Sequence, residues 1–85
     1  MASQILLEIV TPDRSVLKEE VSEFTAPGFE GEFGVLPGHT TLLAQLGTGT
    51  LTYIKSGQPH RLQISGGFCE VRGDHATILA DQVSE

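Results

Sequence analysis

The side chains best suited to bind a metal are His39, His60, His75 and Cys69, and no two of them stand at the short spacing of a ligand pair. Gly28, Gly31 and Gly34 spell G-x-x-G-x-x-G rather than a dinucleotide fingerprint. Gly47-Thr48-Gly49-Thr50 lacks the lysine that a phosphate loop needs, and Ser65 before Gly66-Gly67 lacks the flanking pattern of a nucleophile elbow. His39 has neither a nucleophile nor a carboxylate spaced to use it as a general base. No catalytic residue, cofactor or metal is therefore expected. What remains is a charged feature: Glu32 rides on a segment bordered by Gly31 and Gly34, with Glu30 beside it. On composition alone this reads as a solvated loop glutamate, although a carboxylate on such a bendable, protruding loop can also pair with a basic partner.

These residues must be positioned by strands. Turn signals recur every six to twelve residues or so, at Pro12-Asp13, Pro27-Gly28, Pro37-Gly38, Gly47 and Gly49, Ser56-Gly57, Gly66-Gly67 and Gly73-Asp74. Pro37-Gly38 reads as the centre of a type II turn, which His39 follows and caps. Between the turns, alternation puts Ile5, Leu7 and Ile9 on one face, Phe24 with Ala26, Leu51 with Tyr53, Leu62 with Ile64, Cys69 with Val71, and Ala76 with Ile78 and Ala80. Glu20 to Ala26, His60 to Ser65, Gly67 to Arg72 and His75 to Asp81 each read as one strand. Leu42, Leu43 and Leu46 form a cluster that fits either a strand or one helical turn. The expected fold is all-β: a flattened sandwich or barrel of about eight to ten short, mostly antiparallel strands in a single domain, residues 1–85.

Composition narrows the partners. Eighty-five residues with net charge -6 and five scattered basic residues offer no stripe for nucleic acid. An acidic surface favours basic protein partners. One cysteine allows no internal disulfide. The start MASQ carries no signal-peptide pattern, and no apolar run is long enough to span a membrane.

The run GEFGVLPGHTTLLAQL, Gly31 to Leu46, resembles the signature of the epsilon subunit of the F-type rotary ATP synthase, called delta in mitochondria. ISGGFCEVRGDHATILAD, Ile64 to Asp81, is similar to that family's S-G-G-x-x-E-V segment and its final sandwich strand. The opening strand into Thr11-Pro12 and the Val16-Leu17 pair resemble its first hairpin. Phe33, where the family usually has an aliphatic residue, and Thr40-Thr41, where it has Ala-Pro, depart from the pattern. So does the end at Glu85, which leaves out the family's C-terminal helical hairpin; inhibition through those helices and ATP binding are accordingly not carried over.

The resemblance implies a non-catalytic central-stalk subunit of the proton-translocating enzyme. Such a subunit couples c-ring rotation to the catalytic head through gamma, peripherally at the cytoplasmic face of the bacterial membrane or its equivalent. It assigns Glu32, Glu30 and Phe33 to the c-ring loops, and Thr11, His39 and Ala44 to gamma. The chain is expected to be monomeric on its own. The competing reading is a free-standing acidic β-sandwich that binds a ligand or another protein; it has Phe24, Phe29, Phe33, Phe68 and Tyr53 to offer, and no tryptophan.

Overall fold

In the computed structural model, which describes residues 4–38 and 40–85, the alternating apolar pattern becomes eight strands in chain order. They are β1 (Ile5–Val10), β2 (Ser15–Val21), β3 (Glu23–Gly28), β4 (Gly31–Val35), β5 (Leu42–Gln45), β6 (Thr48–Lys55), β7 (Gln58–Arg72) and β8 (His75–Ser84). Hydrogen bonding runs in the order β2-β1-β8-β7-β6-β3-β4, with β5 added to β7. Every pairing is antiparallel except that of β1 with β8. A parallel pair cannot be joined by a tight hairpin, and here the two strands come from opposite ends of the chain.

The sheet folds over on itself into a sandwich, and the fold line is written in glycine. The register of β5 on β7, with Gln45 facing Phe68, continues into that of β6 on β7, with Thr48 facing Ser65. Between them Leu46 donates its amide to the Gly67 carbonyl at 2.8 Å, and Gly66 donates to Gly47 at 3.1 Å. Gly66 and Gly67 have φ of 71° and 115°. A side chain at Gly67 would place its Cβ 1.9 Å from the Leu79 carbonyl oxygen. Only glycine fits that close approach at that φ. The segments expected as two strands, His60–Ser65 and Gly67–Arg72, are thus one bent strand, because their neighbours bend with them. β8 likewise runs past Asp81 to Ser84.

Across the corner the buried parity changes. β7 buries Leu62 and Ile64 before it, and Cys69 and Val71 after it. On the neighbouring strands Leu46 and Leu51 do the same, and β8 passes from Ala76, Ile78 and Ala80 to partly buried Val83. These residues join Ile5, Leu7, Ile9, Val21, Phe24, Ala26, Val35 and Tyr53 in one core that holds no buried polar or charged residue among those described. The alternating faces read from the sequence are the core-facing sets. Leu42, Leu43 and Leu46 resolve as extended chain, and the leucine cluster divides: Leu46 is buried, Leu42 half-buried and Leu43 73% exposed.

Two further boundaries differ from expectation. Ser22 interrupts the run from Glu20 to Ala26; its amide and hydroxyl both donate to the Ile54 carbonyl, at 2.9 and 3.2 Å, as the chain crosses between layers. Pro27 and Gly28 end β3 rather than forming the turn, which falls at Phe29-Glu30. The Pro27 carbonyl accepts from Gly47 at 2.9 Å, which holds it in the sheet.

Candidate functional site

The β3–β4 hairpin carries the acidic feature. Gly28 pairs with Gly31 across a two-residue turn, so Glu30 sits at the tip, exposed. Gly31 has φ of 133°, a conformation that side chains resist. Glu32 pairs with Pro27 and is exposed, while Phe33, one residue on, shares the inward parity of buried Val35. A Cβ on Gly28 would meet the Phe33 ring at 3.1 Å and the Gly31 carbonyl at 2.4 Å; the bare glycine lets that ring close over the hairpin. The result presents two exposed carboxylates, Glu30 and Glu32, on one hairpin.

After β4 the chain turns at Pro37-Gly38, where Gly38 has φ of 81°, the value a type II turn requires. Its amide donates to Asp74 Oδ1 at 3.1 Å, which ties this turn to the β7–β8 turn. His39 lies outside the described residues. Thr11 ends the first strand: its amide donates to the Arg14 carbonyl at 2.9 Å, and its Oγ1 lies 3.3 Å from the Arg14 amide. It therefore shapes the β1–β2 turn as well as standing half-exposed beside it. Ala44, opposite Cys69 in β5, is half-buried.

Glu30, Phe33 and Ala44, drawn from both proposed contact sets, line one groove of about 460 Å³ between the β3–β4 hairpin and β5. Thr11 lines a separate depression with Phe68 and Leu79. Gln45 borders both.

The sequence reading did not single out the outer face of β5, β7, β8 and β1. Here Gln45, Phe68, Leu79 and Val10 stand in register across four strands. Phe68 is 51% and Leu79 52% exposed, and the two face each other across β7 and β8. A contiguous patch of this kind marks a docking face more than single exposed apolar residues do. The signal was present: once Cys69 and Val71 point inward, Phe68 must point outward.

The shifted ionisable groups each have a structural cause. Burial pushes the Cys69 thiol up to about 12, so it stays protonated and inert. Lys55 is raised by its 2.6 Å hydrogen bond to Glu19, and Tyr53 by burial while its ring stacks on His60. Among the described residues no group of three or more His, Cys, Asp or Glu is placed to hold a metal ion.

Comparison with known proteins decides the family. A model of the ATP synthase delta/epsilon chain beta-sandwich domain matches residues 4–85. The chain belongs to that family. It is 51% identical over 81 residues to the ATP synthase epsilon chain of Maridesulfovibrio salexigens, covering 95% of this chain and 57% of the relative. To the epsilon chain of Solibacter usitatus it is 46% identical, covering 95% and 60%. The chain thus spans somewhat less than two thirds of these relatives' length. The chain is also similar, with TM-score 0.91 and 32% identity, to a chain in the cryo-EM structure of the Euglena gracilis mitochondrial ATP synthase, OSCP/F1/c-ring; the match covers 98% of this chain and 54% of that one. The central stalk/c-ring structure of Tetrahymena thermophila mitochondrial ATP synthase shares the fold, with TM-score 0.80 at 17% identity over 95% of this chain and 66% of that one.

Proposed function

We propose that this chain is a non-catalytic central-stalk component of an F-type ATP synthase, coupling c-ring rotation to the catalytic head through gamma. The observation that carries the reading is a pair of separate contact surfaces on one hydrogen-bonded sandwich. One is the acidic hairpin tip with Glu30 and Glu32; the other is the apolar row through Phe68 and Leu79, with Thr11 at its margin. A part that transmits torque needs two grips and little internal give, and a folded-over sheet supplies both. The epsilon-chain relatives and the likeness to structures that include the c-ring support the same assignment.

In this arrangement Glu32, Glu30 and Phe33 face the polar loops of the c-ring. Thr11, Ala44 and His39 belong to the gamma contact, with Phe68 and Leu79 at the apolar centre, where interface energy concentrates. The carboxylates at the rim set register and orientation more than affinity. Through the complex, the subunit lies peripherally at the cytoplasmic face of the bacterial membrane or an equivalent coupling membrane.

The test is reconstitution of this chain with gamma and the c-ring. Retention of gamma by the wild-type chain, lost in Phe68→Asp, is the expected result; Glu32→Lys is expected to retain gamma and to weaken association with the ring. A correctly folded wild-type chain that binds neither partner would overturn the assignment.

A further inference from the structure

The two long margins of the sandwich are closed differently. Between β2 and β6, Ser22 is bonded to Ile54 and Lys55 to Glu19. On the other side β4 pairs with β3 and β5 with β7, and the groove lies between them. Its walls include Phe29, Phe33, Gly34, Leu42, Leu43 and Ala44. Phe33 and Leu42 reach the core from opposite walls, so the groove opens directly onto apolar surface.

Natural sheet edges are guarded by charge, proline or a bulge. The β2 edge is guarded in this way: it carries Lys18, Glu19 and Glu20, and its pairing with β1 slips between Ile9 and Val10. The β5 edge, Leu-Leu-Ala-Gln, has none of these. Its backbone is also turned the right way. The Gln45 carbonyl points away from β7, accepting from the Phe29 amide at 2.8 Å. Strand alternation then turns the amide and carbonyl of Leu43 to that same side, into the groove.

We propose that the groove between β4 and β5 is a strand-acceptor site for a short, extended, basic-and-apolar segment of another polypeptide. The segment adds to the β5 edge through the Leu43 backbone, the mode of recognition in which main-chain pairing gives affinity and alternate side chains give specificity. Its apolar side chains cover Phe33 and Leu42, and its basic ones meet Glu30 in the groove and Glu32 on the adjoining strand. The charge of the lining fixes the sign, since Glu30 is the one charged residue among those that line the groove. The proposal rests on the stalk reading and deepens it by naming how this flank holds its partner.

The probe is a capped hexapeptide alternating lysine and valine, added to the whole 85-residue chain while amide exchange is followed residue by residue. Saturating peptide is expected to slow exchange at Leu43 by roughly tenfold or more. The same peptide N-methylated at alternate amides, and a glutamate–valine version, are expected to give no such protection. Leu43→Pro removes an amide that faces the groove rather than β7, and is expected to abolish binding; the N-methylated peptide makes the same test without altering the protein.

Equal binding of the N-methylated peptide overturns the proposal. So does protection centred on Phe68 and Leu79, or concentration-dependent protection of Leu43 without peptide, which would mean a second copy fills the groove. Gamma and c-ring binding separates the two readings. If wild type and Leu43→Pro bind these partners equally, strand addition fails and the stalk reading stands. If the wild type binds neither, the stalk reading fails.

Discussion

Glycine serves opposite purposes at the sandwich corner and at the acidic hairpin. At the corner, Gly67 leaves no room: a Cβ would fall 1.9 Å from the Leu79 carbonyl oxygen, and one on Gly66 would fall 2.5 Å from Asp81 Oδ2. At the hairpin, Gly31 has nothing within 4 Å of its missing Cβ, and Gly34 only ordinary contact with Thr25 at 3.6 Å. The first region uses glycine so that backbones can touch; in the second, close approach is confined to Gly28 at the base, and Gly31 and Gly34 lie in an open strand. The corner therefore governs whether the chain folds, and the hairpin governs what the folded chain presents.

The contrast can be broken most sharply at Gly67. Gly67→Ala combines a disallowed φ with a backbone collision and is expected to cost roughly 3–5 kcal/mol, or to prevent folding, as read from the denaturant midpoint. A variant that unfolds at the wild-type midpoint would mean that the corner can shift.

Beside the corner, Cys69 tests how dry the joined layers are. Its unfolded thiol titrates near the ordinary value of 9.0, while the folded one holds its proton to about 12. Between these values the unfolded state binds fewer protons than the native one, so stability falls as pH rises. Between these two values the slope approaches ~1.4 kcal/mol per pH unit from this group, and below pH 9 the stability is fully retained. Cys69→Ala is expected to start less stable but to lose this contribution to the alkaline slope. Parallel slopes for the two proteins would mean that water reaches the thiol.

The hairpin should respond weakly in stability. Gly34→Ala is expected to lie within about 1 kcal/mol of wild type, because the added methyl meets only ordinary contacts and the unfolded chain loses freedom. The smallest effect belongs to Glu32→Lys, an exposed substitution expected to change stability by no more than about 0.5 kcal/mol while weakening ring association. A large loss of stability there would place Glu32 in the architecture and erase the contrast.

Much of this was legible beforehand. Alternation around Ile5, Leu7 and Ile9, or Ala76, Ile78 and Ala80, needs only the two-residue strand period, and these residues are core-facing. The Gly31–Leu46 and Ile64–Asp81 motifs pointed to the delta/epsilon family, to which the chain belongs. The corner was harder to see. Leu62 and Ile64 point inward at even positions, Cys69 and Val71 at odd ones, and that switch announces a change of layer only when read through Gly66-Gly67 as continuous strand. Read as a turn, the glycine pair hid the bend. Leu43 was misgrouped for a related reason: adjacent leucines cannot share a face in a strand, and Leu43 is exposed while Leu46 is buried.

By itself the sequence determined the family, the all-β character and the inward faces, whereas Glu32, expected on a loop, lies in β4. Each of the first three depends on residue type and short-range spacing, which the chain carries wherever it lies in space. Tertiary structure decided which margins of the sandwich close, that Phe68 and Leu79 share one outer row with Gln45, and that Glu30, Phe33 and Ala44 line one groove. Those outcomes depend on long-range register and on where the sheet folds over, and no local pattern encodes the distance between strands far apart in the chain.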